Sequence, residues 1–161
     1  MFGNTMIRKA NNGDIVDIQK LAKETWNHTY EGLIPIDVQN KFIESAYSDE
    51  RMELRIKKSL FLVATMNKEV IGFANFFSNE LEATLGAMYI CPSKQGKGVG
   101  SQLLTTGMKE LNNIENIYVE VEKGNEVGEA FYEARGFRLI DEYVEDFYGH
   151  MLQTKRLVLK V

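Results

Sequence analysis

The spacing of hydrophobic positions changes along the chain between a period of about two and a period of about 3.6, which predicts an alternation of strands and helices. Apolar residues three and four positions apart predict four helices. The first begins after Asp14, and the other three cover Ile36–Lys58, Val99–Asn112 and Glu126–Arg135. Short runs rich in β-branched and aromatic residues predict seven strands: Thr5–Ala10, Leu60–Met66, Val70–Ser78, Leu81–Ile90, Asn116–Glu122, Phe137–Phe147 and Met151–Lys160. This succession predicts an α/β fold with a mixed sheet.

The most informative segment joins the fourth predicted strand to the helix that follows it. The run Gln95-Gly96-Lys97-Gly98-Val99-Gly100 places three glycines around the start of the apolar helical pattern. The first amides of a helix have no carbonyl partners, the helix dipole is positive there, and glycines let an anion approach the backbone. The run lacks the ending of a Walker A loop and the spacing of a dinucleotide fingerprint. It therefore predicts a site for another phosphate-bearing ligand.

A second motif covers residues 125–137. Asn125 is a good N-cap, and Gly136 followed by Phe137 suits a left-handed helix end with an apolar residue packing back on the helix. Tyr132 lies off the apolar face that the spacing of this segment predicts, so packing alone does not explain it. That face consists of Val127, Ala130, Phe131 and Ala134.

The two motifs together resemble the signatures of the GNAT superfamily of acyl-CoA-dependent N-acetyltransferases. The first matches its Gln-x-x-Gly-x-Gly loop at Gln95, Gly98 and Gly100, and the second matches its Asn…Phe-Tyr…Gly-Phe helix. The resemblance spans essentially the whole chain. It implies the GNAT fold, a mixed, mostly antiparallel twisted sheet of about seven strands flanked by four helices, with acetyl-CoA as cosubstrate.

The resemblance also implies roles for individual residues. The main chain of Met88 and Ile90, with Tyr89 between them, is expected to contact the pantetheine arm, and Asn125 is expected to contact that arm, cap its helix, or both. Tyr132 is expected to lie beside the cofactor and to protonate the departing thiolate, because a phenol stays protonated at neutral pH. The pyrophosphate is expected to bind the amides of Gln95, Gly96, Lys97, Gly98, Val99, Gly100 and Ser101.

The general base is left open by the sequence. Some GNAT members carry a glutamate eleven residues before the glutamine of the loop, where this chain has Thr84. Glu82 lies two residues earlier on the same strand face, and Glu120 and Glu122 share a face of the next strand. Each could deprotonate an amine through water or could be a solvent-facing charge; Glu82 is slightly favoured over Glu120.

Composition restricts the partners. The 161 residues suffice for one domain, 1–161, and no apolar run is long enough for a membrane span. A net charge of −4 argues against nucleic-acid binding, and the lone Cys91, without a leader pattern, predicts a cytoplasmic protein. No metal site is predicted, and a homodimer stays open.

The sequence predicts the chemical class of the acceptor but not its identity. Residues 141–146 hold four acids, and acidic walls favour cationic amines such as polyamines or lysine side chains. Residues 25–30 and 42–47 weakly resemble bacterial polyamine-acetylating members. The sequence thus predicts an N-acetyltransferase acting on a primary amine, from a small molecule or a lysine. The alternatives are a catalytically silent acyl-CoA-binding sensor or scaffold and a protein-interaction domain.

Overall fold

The computed structural model describes residues 4–161 as one seven-stranded sheet with helices on both faces. The strands are β1 Thr5–Lys9, β2 Leu60–Met66, β3 Glu69–Ser78, β4 Glu82–Ile90, β5 Asn116–Glu122, β6 Arg138–Phe147 and β7 His150–Lys160. The helices are α1 Ile15–Thr29, α2 Ile36–Ala46, α3 Asp49–Lys58, α4 Val99–Glu110 and α5 Glu126–Ala134. Their order confirms the predicted α/β fold, and all seven strands lie where the sequence predicts them, within a few residues.

The helix count needs a correction, because residues 4–161 form five α-helices rather than four. The single helix predicted over Ile36–Lys58 ends at Ala46, and a new helix begins at Asp49. Ser48 separates the two as an N-cap, since its side chain accepts a hydrogen bond from Arg51 N at 3.2 Å. The apolar spacing continues across this break, so the periodicity alone could not reveal it.

The sheet has the order β1-β2-β3-β4-β5-β7-β6, and every neighbouring pair is antiparallel except β4 and β5. Helices α4 and α5 pack on one face, where Leu103 and Tyr132 join the core with Phe76. Helices α1 and α3 pack on the other face, where Ile18 and Met52 join it. The sheet therefore has a face carrying the glycine loop and a face carrying the α1–α2 segment. No helix in residues 4–161 has the length and apolar character to cross a membrane.

Candidate active site

The only parallel pair of the described sheet separates halfway along its length. Strands β4 and β5 pair over four positions, from Glu82↔Asn116 to Leu85↔Val119, and no pairing continues beyond Leu85. Beyond that point a cleft of about 570 Å³ opens between the two strands. Residues from both strands, the glycine loop and α5 line the cleft. The separation thus creates an opening that connects the two faces of the sheet.

The edge of β4 along this opening presents main-chain groups without strand partners. In an antiparallel pair, alternate residues direct their N–H and C=O groups to the same neighbour. Cys91 N–H donates to Ile71 O of β3 at 2.7 Å, and the β3–β4 register is regular at this end of the strands. Tyr89 consequently bonds toward β3, whereas the main-chain groups of Met88 and Ile90 point into the opening. This is the arrangement that the predicted contact with a pantetheine arm requires.

The glycine loop forms the end of the cleft. Gly96 and Gly98 have φ values of 78° and 82°, which glycine adopts without strain, and Gly98 is the N-cap of α4. The first main-chain hydrogen bond of α4 joins Gln102 N–H to Gly98 O at 3.0 Å, so the amides of residues 99–101 precede the helical ladder. Gln95 Nε2 donates to Ile90 O at 3.2 Å and fastens the loop to β4. The loop thus has the backbone geometry of an anion cradle, and phosphate binding there stays a prediction.

Replacing Gly98 with valine is expected to weaken acetyl-CoA binding at least about tenfold, because a β-branched side chain resists positive φ and would displace the cradle amides. Gly149 provides a matched control: its φ is 86° and a Cβ there would also meet no atom within 4 Å, but it lies in the β6–β7 turn. Isothermal titration with acetyl-CoA measures both variants. Equal affinity in folded Gly98→Val and wild type would contradict the assigned phosphate site.

Gly100 has a different role from Gly98 within the same loop. It is buried in the first turn of α4, and a Cβ there would lie 2.9 Å from Phe131 Cε1 and 3.7 Å from Met88 Cε. A larger residue would therefore press on the Phe131 ring of α5 rather than obstruct a phosphate directly. Gly100 lets that ring pack directly against the first turn of α4.

Helix α5 places Tyr132 in the cleft, although by a different face from the one that the apolar spacing predicts. Val127 is 72% exposed and Ala130 and Ala134 are also exposed, whereas Tyr132 is only 8% exposed. The predicted caps are present: Gly128 N–H donates to Asn125 Oδ1 at 3.1 Å, and Gly136 has a φ of 92°. The inward face of α5 is therefore that of Phe131 and Tyr132, and it lines the cleft as well as packing on the sheet.

A group of hydroxyls and a carboxylate meets at the opening from the opposite face of the sheet. The Tyr30 hydroxyl donates to Glu122 Oε2 at 2.8 Å and lies 3.3 Å from the Tyr89 hydroxyl. Burial raises the pKa of Glu122 above its ordinary value, although the Tyr30 hydrogen bond opposes the shift. Burial, together with the nearby Glu122 charge, raises the pKa of Tyr132 well above its ordinary value. The cluster thus pairs a carboxylate of raised pKa with a phenol that stays protonated.

The three candidate bases occupy different places. Glu82 is the first residue of β4, in the half of the strand that pairs with β5, and it accepts a hydrogen bond from Tyr118. It precedes Met88 by six residues, which separates the two by about 20 Å along an extended strand. Glu120 lines the cleft and accepts a hydrogen bond from Tyr143. Glu122 also lines the cleft and lies near enough to Tyr132 for its charge to raise the pKa of that phenol. Glu82 therefore lies outside the cleft that Glu120 and Glu122 line, and the choice of base among the three stays a prediction.

Arg135 is a charged residue of the cleft that the sequence analysis did not single out. Its Nε donates to Ser101 Oγ at 2.9 Å, its Nη1 donates to Phe131 O at 2.9 Å, and its guanidinium carbon lies 3.6 Å from the Phe131 ring centroid. These contacts hold a positive charge beside the first turn of α4. The predicted motif gave no signal here, because the position before Gly136 is a variable one in it.

The acidic arm of β6 divides between the two faces of the sheet, since successive strand residues point in opposite directions. Glu145 accepts a hydrogen bond from Thr154 Oγ1 at 3.0 Å and lies near enough to Glu122 to raise the pKa of that carboxyl. Glu142 instead faces Lys155, which forms an ion pair with Glu129 of α5. Only part of the acidic run therefore surrounds the opening.

Comparisons with known proteins agree with this geometry. Residues 17–137 match the model of the acetyltransferase (GNAT) family. The chain is 30% identical over 149 residues to spermidine N(1)-acetyltransferase of Thermoplasma acidophilum, across 88% of this chain and 92% of that protein.

Solved structures show the same likeness. The PaiA N-acetyltransferase of Thermoplasma acidophilum, in complex with coenzyme A, superposes with a TM-score of 0.85 at 27% identity, covering 98% of this chain and 99% of that one. YncA, a putative acetyltransferase of Salmonella typhimurium bound to acetyl-CoA, shares the fold, with a TM-score of 0.68 at 20% identity over 98% and 94% of the chains. The chain belongs to the GNAT family and is an acetyltransferase, as its two motifs predict.

Proposed function

We propose that this enzyme transfers the acetyl group of acetyl-CoA directly to a primary amino group of a small cationic amine. The observation that carries the proposal is the meeting of Tyr132 and Glu122 at the β4–β5 opening from opposite faces of the sheet. A thioester on one face and an amine on the other face would come together there.

The cleft fits acetyl-CoA in three respects. The main-chain groups of Met88 and Ile90 that point into the opening suit the pantetheine amides, although Ile90 O also accepts from Gln95 Nε2. The loop from Gln95 to Ser101 suits the pyrophosphate, and Arg135 adds positive charge beside that loop. The cleft volume lies within the range of small-molecule sites, about 300–1,000 Å³. When bound, acetyl-CoA supplies an activated acyl thioester.

The chain's own residues supply the proton transfers. Glu122, ionised above its raised pKa, takes a proton from the attacking amine, and Tyr30 holds its carboxylate in place. The Met88 amide, which points into the opening, donates to the carbonyl oxygen as negative charge develops there. Tyr132 donates its phenolic proton to the departing sulfur, because its raised pKa keeps it protonated at neutral pH. No acyl-enzyme is needed, so Cys91 has no covalent role.

The charge around the opening supports a cationic acceptor. Glu120 and Glu145 both lie near enough to Glu122 to raise its pKa, so three carboxylates surround the place where the amine would bind. The relative with 30% identity is named a spermidine acetyltransferase, which agrees with this charge. A catalytically silent sensor would not need Glu122 and Tyr132 together, and nothing found favours that alternative.

The test is an amine panel. Purified protein with acetyl-CoA should release thiol in the presence of spermidine, putrescine and other primary amines, with mass spectrometry identifying the acetylated product. Cationic di- and polyamines should exceed neutral amino compounds of similar size. Absence of thiol release with every amine, in protein that binds acetyl-CoA, would contradict the proposal and favour a binding module.

Replacing Glu145 with glutamine should raise KM for a diamine about three- to tenfold. Solvent weakens the attraction between this partly exposed carboxylate and a cationic acceptor but does not remove it. Glu142→Gln is the matched control, since Glu142 lies on the opposite face. The Glu145 effect should shrink as ionic strength rises. Equal changes in KM for both substitutions would show that Glu145 has no particular role in binding the acceptor.

A further inference from the structure

The opening between β4 and β5 is bridged by side chains where the main chains no longer pair. The pairing of the two strands ends at Leu85↔Val119. Tyr89 lies four residues farther along β4, and Glu122 lies three residues farther along β5. The Tyr30 hydroxyl lies between their side chains, 3.3 Å from the Tyr89 hydroxyl and 2.8 Å from Glu122 Oε2. We call Tyr89, Tyr30 and Glu122 the tyrosine chain.

The number of protons fixes the direction of the tyrosine chain. A phenol has one O–H donor, and that of Tyr30 is committed to Glu122 Oε2, because an ionised carboxylate can only accept. Toward Tyr89 the Tyr30 oxygen can therefore only accept, so the Tyr89 hydroxyl is the donor. At 3.3 Å this outer donation is the longer and weaker of the two. Both donations lead to Glu122.

Both tyrosine rings are held firmly by their surroundings. Tyr30 is 2% exposed, and its ring centroid lies 4.4 Å from that of Trp26. Its main-chain N–H donates to Trp26 O at 2.9 Å, and its carbonyl oxygen accepts from Leu33 N–H at 2.9 Å. The Tyr89 ring lies between Trp26 and Phe73, with centroids 6.2 Å and 5.8 Å away. The two hydroxyls are thus fixed in place at the opening.

The carboxylate needs a donor because its surroundings disfavour its charge. Burial raises the pKa of Glu122, and the charges of Glu145 and Glu120 raise it further. Hydrogen bonds from Tyr30 and from its own main-chain N–H lower that pKa. The titratable and charged groups around this carboxylate are Tyr30 at the end of α1, Tyr89 of β4, Glu120 of β5, Tyr132 of α5 and Glu145 of β6, with His28 and Arg135 in the walls of the same cleft.

We propose that Tyr30, and Tyr89 acting through it, are positioning residues of the acetyl transfer, which orient the Glu122 carboxylate at the opening and keep it an acceptor for the amine proton. The inference rests on the proposed function, in which Glu122 is the base. Tyr89 lies between Met88 and Ile90, whose main-chain groups point into the opening. The tyrosine chain therefore couples the strand expected to hold the thioester to the base on β5.

Removal of single hydroxyls tests the tyrosine chain. In Tyr30→Phe the fall of kcat/KM at low pH should move upward by at least about one pH unit, because the charged form loses a hydrogen bond, and activity should recover at high pH. Tyr89→Phe should move it by about 0.3 pH unit, because Tyr89 only strengthens the Tyr30 donation. The ratio of variant to wild-type kcat/KM at each pH removes the contribution of the amine.

Tyr47→Phe is the matched control. Tyr47 is buried and packs on Phe73 with centroids 5.9 Å apart, much as Tyr89 does, but its hydroxyl interacts with Arg55. Because Tyr89 acts through Tyr30, Tyr89→Phe should add nothing in the Tyr30→Phe background. Three outcomes would overturn the proposal: a loss in Tyr30→Phe that is equal at every pH, a shift as large in Tyr47→Phe, or a full Tyr89→Phe effect in the double variant.

Carbon-13 NMR of the glutamate carboxyl groups tests the tyrosine chain separately from catalysis. Glu122→Gln identifies the Glu122 resonance, whose titration midpoint should rise in Tyr30→Phe, rise less in Tyr89→Phe and stay unchanged in Tyr47→Phe. Midpoints in this order support the tyrosine chain even if no amine is acetylated, a result that would contradict only the proposed function. An unchanged midpoint in Tyr30→Phe overturns the tyrosine chain even if amines are acetylated.

Discussion

Glu122→Gln is expected to lower kcat by about 10²- to 10⁴-fold, the range of a positioned general base, with little change in acetyl-CoA affinity. The amide keeps the size of the side chain and can still accept the Tyr30 hydrogen bond, so only the proton acceptor is lost. The matched control is Glu120→Gln, which lies on the same strand face but is bonded to Tyr143. A loss in Glu120→Gln that equals or exceeds the loss in Glu122→Gln would transfer the base role to Glu120.

The pH profile gives a second measure of the same residue. Because burial raises the pKa of Glu122, kcat/KM should be retained above that raised pKa and fall as pH drops through it, at a higher pH than for an ordinary glutamate. Protonation of the acceptor amine also lowers kcat/KM at low pH, and the pH of that fall moves with the pKa of the amine. A fall in kcat/KM that occurs at the same pH for amines of different pKa, and that is absent in Glu122→Gln, belongs to Glu122.

Tyr132→Phe is expected to lower kcat by about 10²-fold, the low end for a general acid, and to keep acetyl-CoA affinity within a few-fold. The ring would retain its contacts with Phe131 and Phe137, whose centroids lie 5.1 Å and 5.2 Å away, so the fold should persist. Tyr118→Phe, whose hydroxyl bonds Glu82 outside the cleft, serves as the control. Steady-state turnover with a thiol reagent measures both variants. A kcat of Tyr132→Phe equal to that of the wild type would show that Tyr132 is not the general acid and only packs in the core.

The local signals of the sequence predict most of the fold and the local conformation of two segments that line the cleft. The glycine loop and the Asn125 cap are read correctly because each depends on residues adjacent in the chain. The division of the second helix at Ser48 is missed, because the apolar spacing favours continuity and only the capping residue interrupts it.

The rest of the site depends on contacts between residues far apart in the chain, which no local pattern reports. Tyr30 meets Glu122 across 92 positions, and this contact, rather than strand position, distinguishes Glu122 from Glu82 and Glu120. The inward face of α5 is likewise set by where the sheet opens, so the apolar residues of that helix do not predict it.

The opening between β4 and β5 also bears on how such an enzyme can change over evolution. Along Met88 and Ile90 it offers main-chain atoms, so the backbone conformation there matters more than the identity of the side chains. The sequence can then drift widely while the backbone fold persists, as the TM-score of 0.85 at 27% identity illustrates. On the opposite face the proposed acceptor site consists of side chains, among them Tyr30, Glu122 and Glu145, which can be replaced one at a time. New acceptor specificities can therefore arise on that face without rebuilding the other.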